Sequence, residues 1–212
     1  MRAFYFAPED NRLRYGDGRE IVVGETHAVD ATPVCCGIGL HASRRVIDAL
    51  RYAPSPNLYI VELGGEIDES DDKVSAQTRR YIANIDTTAI LREFAKRQAL
   101  INIGLIKPYT DDYEIIVAFL KGDESKREVA EEAAWGAWRV AWAAWEAAAA
   151  RAAWEAAWAA GAAARAAALA AWAAEEAAEE AAWAAGATGA AANDMLTGMI
   201  EQAIGMKIEE LK

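Results

Sequence analysis

Two cysteines, two histidines and five prolines among 212 residues exclude several chemistries at once. The cysteines are the adjacent Cys35 and Cys36, which cannot close an ordinary long-loop disulfide and match no metal-binding spacing. They are expected to be buried or half-buried thiols in a reducing compartment. His27 and His41 stand far apart with no paired-cysteine motif nearby, so a zinc site is not expected. No Gly-rich phosphate loop, serine nucleophile elbow or HExxH-type helix appears, and no cofactor is expected. Long apolar runs are missing too. The opening MRAFYFAPEDNRLRYG lacks the uninterrupted apolar core of a signal peptide. Arg139, Glu146, Arg151, Glu155, Arg165 and Glu175 interrupt every alanine-rich window before it reaches membrane-spanning length. The expectation is a soluble, cytoplasmic protein with no membrane partner.

A basic surplus is also absent, since 22 Lys and Arg face 33 Asp and Glu for a net charge of −11. Nucleic-acid binding by counterion release needs clustered Lys and Arg, so no nucleic-acid partner is expected. The acidity is unevenly spread: residues 1–122 carry a net −3 and residues 123–212 a net −8. That split, with a change of composition at the same point, predicts an α+β domain over 1–122 and a helical region over 123–212.

Within the first region the chain reads as short strands and turns. Arg2–Ala7 alternates large apolar residues with others, and Glu20–Val23 is a β-branched run after Gly16-Asp17-Gly18. Gly37–His41 reads as a brief strand, followed by a helix over Arg44–Tyr52 with Ser43 as N-cap and Pro54 and Pro56 as its stop. Leu58–Leu63 (LYIVEL) is the strongest strand signal, bounded by Pro56 and Gly64-Gly65. Lys73–Ile85 alternates as another strand, Thr87–Ile106 carries leucine and isoleucine at helical spacing behind Asp86 or Thr87, and Thr110-Asp111-Asp112 caps a shorter helix through Leu120. Glu66, Asp68, Glu69, Asp71 and Asp72 lack the spacing of a Ca²⁺ loop and read as a solvated acidic turn. His41, beside a helix start, reads as a turn-tying histidine.

One segment carries a resemblance. Gly39-Leu40-His41-Ala42-Ser43, Tyr52-Ala53-Pro54 and Asp71-Asp72-Lys73 resemble a family of uncharacterised bacteriophage and prophage proteins, over roughly residues 1–105. The resemblance implies a viral setting, an alanine-rich tail and a location in the host cytoplasm, and it carries no activity. The order strand, Gly-x-x-x-Ser, helix ending in Tyr-Ala, then strand with glutamate also resembles ADP-ribosyltransferases. Carried over, that second resemblance makes Tyr5, His41, Ser43, Tyr52 and Glu62 the candidate residues for holding NAD and releasing nicotinamide. No His-Tyr-Glu or Arg-Ser-Glu series lies on this chain at the separations those enzymes use.

From Ala133 to Ala192, 36 of 60 residues are alanine, and all eight tryptophans lie in this tract. Alanine is the best helix former, and Asp123 with Glu124, Glu128, Glu131 and Glu132 suits a helix start. A continuous helix from Asp123 to Ala185 would run about 95 Å. Trp135, Trp138, Trp142 and Trp145 recur at spacings of 3, 4 and 3, a seam pattern. Trp154, Trp158, Trp172 and Trp183 form a second stripe on nearly the opposite face. AAWAAGA occurs twice, at 156–162 and 181–187, and Gly136, Gly161 and Gly186 stand 25 residues apart. Breaks are predicted near Gly161 and Gly186. Each buried tryptophan contributes roughly 3 kcal/mol by area, against little from alanine, so the rings are expected to dominate whatever interface forms. Asn193 or Asp194 caps a last helix with Met195, Leu196, Met199, Ile200 and Ile204 on its apolar face.

Taken together these readings point to a non-catalytic binding or assembly protein. It is expected to form a homo-oligomer through Trp135, Trp138, Trp142, Trp145, Trp154, Trp158, Gly161, Trp172, Trp183 and Gly186, with a host or phage protein as a further partner. The alternative is an ADP-ribosyltransferase-like NAD-binding enzyme, or its inactive descendant, in residues 1–122.

Overall fold

A computed structural model describes residues 1–147 and 189–211. The chain has the expected α+β architecture, an antiparallel five-stranded sheet with helices. It divides into two compact units, Met1–Ile90 joined by Ala190–Lys212, and Leu91–Gly189. The compositional boundary at 122 therefore falls inside the second unit, and the last helix belongs with the first.

In the first unit, strands β1 (Arg2–Ala7), β4 (Asn57–Glu69) and β5 (Val74–Asp86) lie side by side. The short β2 (Thr26–Ala28) and β3 (Leu40–Ala42) share the far edge of β5. The sheet then curls on itself, because Ser43, one residue past β3, exchanges both backbone hydrogen bonds with Phe4 of β1 at 2.8 and 2.9 Å. Alternation along β1 sorts its side chains to two faces. Ala3, Tyr5 and Ala7 join Tyr59, Val61, Leu63 and Tyr81 in the cluster that fills the curl. Phe4 and Phe6, paired with Ile60 and Leu58, are buried on the other face.

Several boundaries differ from the sequence reading. β4 does not stop at Gly64-Gly65 but runs through it to Glu69, with a register shift between Gly64 and Ile67 that the glycines accommodate. A Cβ on Gly65, whose φ is +72°, would stand 2.8 Å from the Gln77 Cβ. Of Glu20–Val23 only Glu20 pairs, in an isolated bridge to Arg12. Ser43 is not a helix cap, since its backbone is committed to β1; α1 is shorter (Val46–Leu50), with Arg45 in the cap position and no side-chain cap bond. Helix α2 (Thr88–Asn102) ends early and passes into a 3₁₀ turn, Ile103–Tyr109, that contains Pro108. The last helix, α5 (Gly189–Ile204), starts ahead of Asn193, whose side chain instead accepts a hydrogen bond from the Ile47 amide at 3.4 Å. Leu196 and Ile200 of α5 are fully buried.

In the second unit, helix α3 (Tyr113–Leu120) and helix α4 (Arg127–Ala147) pack with the 3₁₀ turn. Asp123 caps the approach to α4 through the Ser125 amide at 3.2 Å, as its position predicted. Among the described residues of α4, the seam is built from alanine. Ala130, Ala134, Ala137 and Ala141 are buried, at the 4, 3, 4 spacing of one helical face, and the first three cluster with Ile106, Ile116 and Phe119. Trp135 and Trp138 flank this seam half-buried, edge to face with each other at 5.7 Å. A helix that meets its neighbours through methyl groups approaches closely, which leaves Trp135 and Trp138 at the margins of the contact. Trp142 and Trp145 lie on the same helix; Trp154, Trp158, Gly161, Trp172, Trp183 and Gly186 lie outside the described residues.

No helix among the described residues is long and apolar enough to cross a membrane.

Candidate functional site

The seam where β3 closes onto β1 is joined by one residue pair, and a cleft of about 600 Å³ opens beside it. That volume lies within the range of small-molecule sites. Tyr5 and Phe6 come from β1, Leu40–Ala42 from β3, Tyr52 from the segment after α1, Lys73 from the residue before β5 and Arg79 from within β5. The turn Arg14–Asp17 and the loop Cys36–Gly39 form the mouth. All of these belong to the first unit.

Arg79 is the unusual member. It occupies an inward position of β5, two residues before Tyr81, and is only 2% exposed. Its Nε and Nη2 groups donate to the Tyr81 hydroxyl at 3.1 and 2.9 Å, Nη1 donates to the His41 carbonyl, and the guanidinium lies 3.8 Å from the centre of the Tyr5 ring. Three of the five N–H groups that a guanidinium carries are thereby used, all on neutral acceptors. Among the described residues no carboxylate forms an ion pair with it. A buried ion without a counter-charge is costly, and the Tyr5 ring face offsets only part of that cost.

The network continues outward. The Tyr81 hydroxyl, accepting from Arg79, lies 3.0 Å from His27 Nδ1, which makes Nδ1 the acceptor and leaves the His27 ring neutral. Burial, followed by the charges of Arg19 and Arg79, pushes the His27 pKa down. His41 is also pushed down, first by burial and then by the Lys73 ammonium. Its Nε2 is the buried side-chain polar atom without a hydrogen-bond partner among the described residues. Lys73 stands 3.8 Å over the Tyr52 ring and 3.5 Å from the Cys36 sulfur. Burial pulls the Lys73 pKa down, but Tyr52 and Cys36 more than offset this and the net shift is upward, so it is an ammonium at neutral pH. The lining therefore carries Arg14, Lys73 and Arg79 against one acid, Asp17, which is already held by Arg19 in a two-point ion pair at 2.7 Å. A cationic cleft sits in a strongly acidic chain.

Of the residues singled out from sequence, Tyr5, His41, Ser43 and Tyr52 all line this cleft. Glu62 does not. It lies exposed on β4 between Arg2 and Arg80 in the sheet register, 3.9 Å from Arg80. Ser43 contributes structure, through its paired backbone, and Tyr52 donates to Asp72 at 2.6 Å. Of the acids read as a solvated turn, Glu66, Asp68 and Glu69 lie in β4 instead; Asp68 accepts from the Cys35 amide at 2.7 Å, and Glu69 pairs with Arg44. Both cysteines are free thiols, Cys35 half-buried and Cys36 exposed. Among the described residues no group of three or more His, Cys, Asp or Glu is arranged to hold a metal ion. Sequence reasoning missed Arg79, Lys73, Arg14 and Tyr15. Arg79 was detectable, because the β5 alternation that points Tyr81 inward points Arg79 inward as well.

Residues 11–93 match the family model of a domain of unknown function, DUF7666. The matched segment contains every cleft residue from Leu13 to Arg79 and leaves out β1 with Tyr5. No curated protein and no solved structure matches the chain.

The two depressed histidines have a measurable consequence. A histidine whose pKa is lower folded than unfolded binds its proton more readily in the unfolded chain, so its contribution is present above the unfolded value near 6.5 and is lost as pH falls through that value toward the folded one. Stability is expected to fall between pH 7 and pH 5.5, by at most about 1.4 kcal/mol per pH unit for each histidine. Urea midpoints measured across that range check it, with His27→Gln flattening the slope. An unchanged or rising midpoint on acidification refutes it.

Proposed function

We propose that the first unit is a non-catalytic binding module whose cleft takes a small anionic ligand, a phosphoryl or carboxylate group of a metabolite. The observation that carries this reading is the buried Arg79 guanidinium, which lines the cleft and has no carboxylate partner among the described residues. A ligand anion supplies the missing counter-charge, and its hydrogen bonds to an ionised donor are of the stronger kind. Lys73, an ammonium in the same lining, adds to the same side of the argument. The sequence expectation of a binding protein is kept, and the ligand class is what the cleft adds to it.

The transferase alternative asks for a carboxylate beside the bound sugar. Glu62, the candidate for that role, is on the exposed surface of β4, and Asp17 is the single acid in the lining. Self-association through the tryptophan helices rests mainly on residues outside the described ones, and Trp135 and Trp138 already pack against their own unit. The cleft therefore carries the proposal.

Calorimetric titration of the full chain with inorganic phosphate, and with glycerol as a neutral control, tests it. Saturable binding of phosphate alone is expected, weakened roughly three- to tenfold by Lys73→Ala, in line with one partly exposed charge contact. Absence of saturable phosphate binding, or equal binding of glycerol, overturns the reading.

A further inference from the structure

We infer that Tyr15 is a stacking platform at the mouth of the cleft, and that the ligand is an anion joined to a flat ring, of the nucleoside-phosphate class. The inference rests on the anion-binding reading and adds a second contact to it. Tyr15 lines the cleft yet is 95% exposed, the most exposed of the large apolar residues among those described. Its backbone is left-handed, with φ +61°, a conformation uncommon for any residue but glycine and asparagine and strained for a bulky one. Apart from the Arg14 guanidinium over its face, the ring is open to solvent, so it gains little stability from burial.

The turn that carries it is firmly built. The Leu13 amide donates to the Arg19 carbonyl at 2.9 Å, the Gly18 amide to the Leu13 carbonyl at 3.1 Å, and Arg12 Nη1 to the Gly18 carbonyl at 3.0 Å. Arg19, clamped by Asp17, reaches the Ala28 carbonyl at 3.0 Å and so ties the turn to β2. A fixed backbone that holds a largely exposed ring beside the cavity lets an aromatic face meet a ligand ring without ordering it first. Arg14, which also lines the cleft, places its guanidinium 5.1 Å from the same ring. Three cations, with the one acid already neutralised, exceed what a single carboxylate balances and suit a phosphoryl group of charge near −2. Stacking on one tyrosine face is tolerant of base identity.

The test compares AMP, CMP and inorganic phosphate by calorimetry on the full chain, with Tyr15→Gly and Tyr15→Trp. Glycine adopts φ +61° freely, so Tyr15→Gly keeps the turn while removing the ring. AMP is expected to bind at least about tenfold more tightly than phosphate, the scale of one base stacked on an aromatic ring. Tyr15→Gly is expected to abolish that margin and leave phosphate affinity unchanged, and Tyr15→Trp to preserve it. If AMP and phosphate bind alike, or Tyr15→Gly leaves AMP binding as it was, Tyr15 is not a platform although the anion site stands. If neither binds, the anion reading falls and the platform with it.

Discussion

Replacing Gly39 with alanine is expected to destabilise the first unit by about 2–4 kcal/mol, the sum of a left-handed backbone penalty and an overpacking term. Gly39 has φ +118°, and a Cβ there would come within 2.1 Å of the Ser75 hydroxyl and 3.3 Å of the Ala76 carbonyl. Ser75 cannot swing away cheaply, because it is fully buried and its hydroxyl donates to the Ile38 carbonyl at 2.8 Å. The effect should reach the cleft, since Gly39 starts the strand that presents His41. Guanidinium-chloride melts of Gly39→Ala beside Gly37→Ala, whose Cβ meets only ordinary contacts of 3.4 Å or more, provide the comparison. Equal melts for the two variants would show that the tight approach is not needed.

The same geometry explains the Gly-Leu-His-Ala-Ser step residue by residue. Gly39 admits the close approach to β5, Leu40 and Ala42 point into the filled curl, His41 points into the cleft lining, and Ser43 closes the sheet on Phe4. The brief strand expected over Gly37–His41 is present as Leu40–Ala42, and Ser43, expected as a helix cap, instead completes the curl.

Arg79→Met is expected to weaken phosphate binding by about 2–3 kcal/mol, roughly 30- to 150-fold, while leaving folding stability unchanged or raised. The binding loss follows from removing the deepest charged donor. The retained stability follows because a well-packed apolar residue relieves the desolvated charge, and because the Tyr81 hydroxyl still has His27 Nδ1 as its partner. Arg79→Lys should fall between, keeping the charge but losing the fork that reaches Tyr81 and His41 together. A methionine variant that binds phosphate as the original does would remove Arg79 from the site. One that unfolds would show the guanidinium to be a structural strut, and Arg79→Lys then separates the two roles by its phosphate affinity.

What the sequence made legible follows from where the signal is local. The Arg2–Ala7 and Leu58–Leu63 strands, the Asp123 cap and the helix through Leu120 rest on composition and spacing within a few residues, and each is present. The cleft was partly legible, in that Tyr5, His41, Ser43 and Tyr52 do converge. Glu62 misled because it interrupts an apolar run, which looks purposeful in one dimension. In the sheet it stands between Arg2 and Arg80, an ordinary exposed charge pairing. His27 was hidden for the opposite reason, since the contact that gives it meaning joins strands more than 50 residues apart. The buried alanine seam of α4 was masked by the tryptophans beside it, because ring size says how much area is available and not which face meets a neighbour.

The discontinuity of the first unit also bears on how it is made. Its sheet is complete by Asp86, but α5 and the Arg2 contacts to the Ile208 and Leu211 carbonyls arrive only after about a hundred further residues. At ordinary synthesis rates of ~5–20 residues per second, that leaves a gap of roughly 5–20 s on the ribosome. During it, the places later taken by Leu196 and Ile200 stay open to solvent or to a chaperone. The first unit is thus completed only after the middle of the chain has been made.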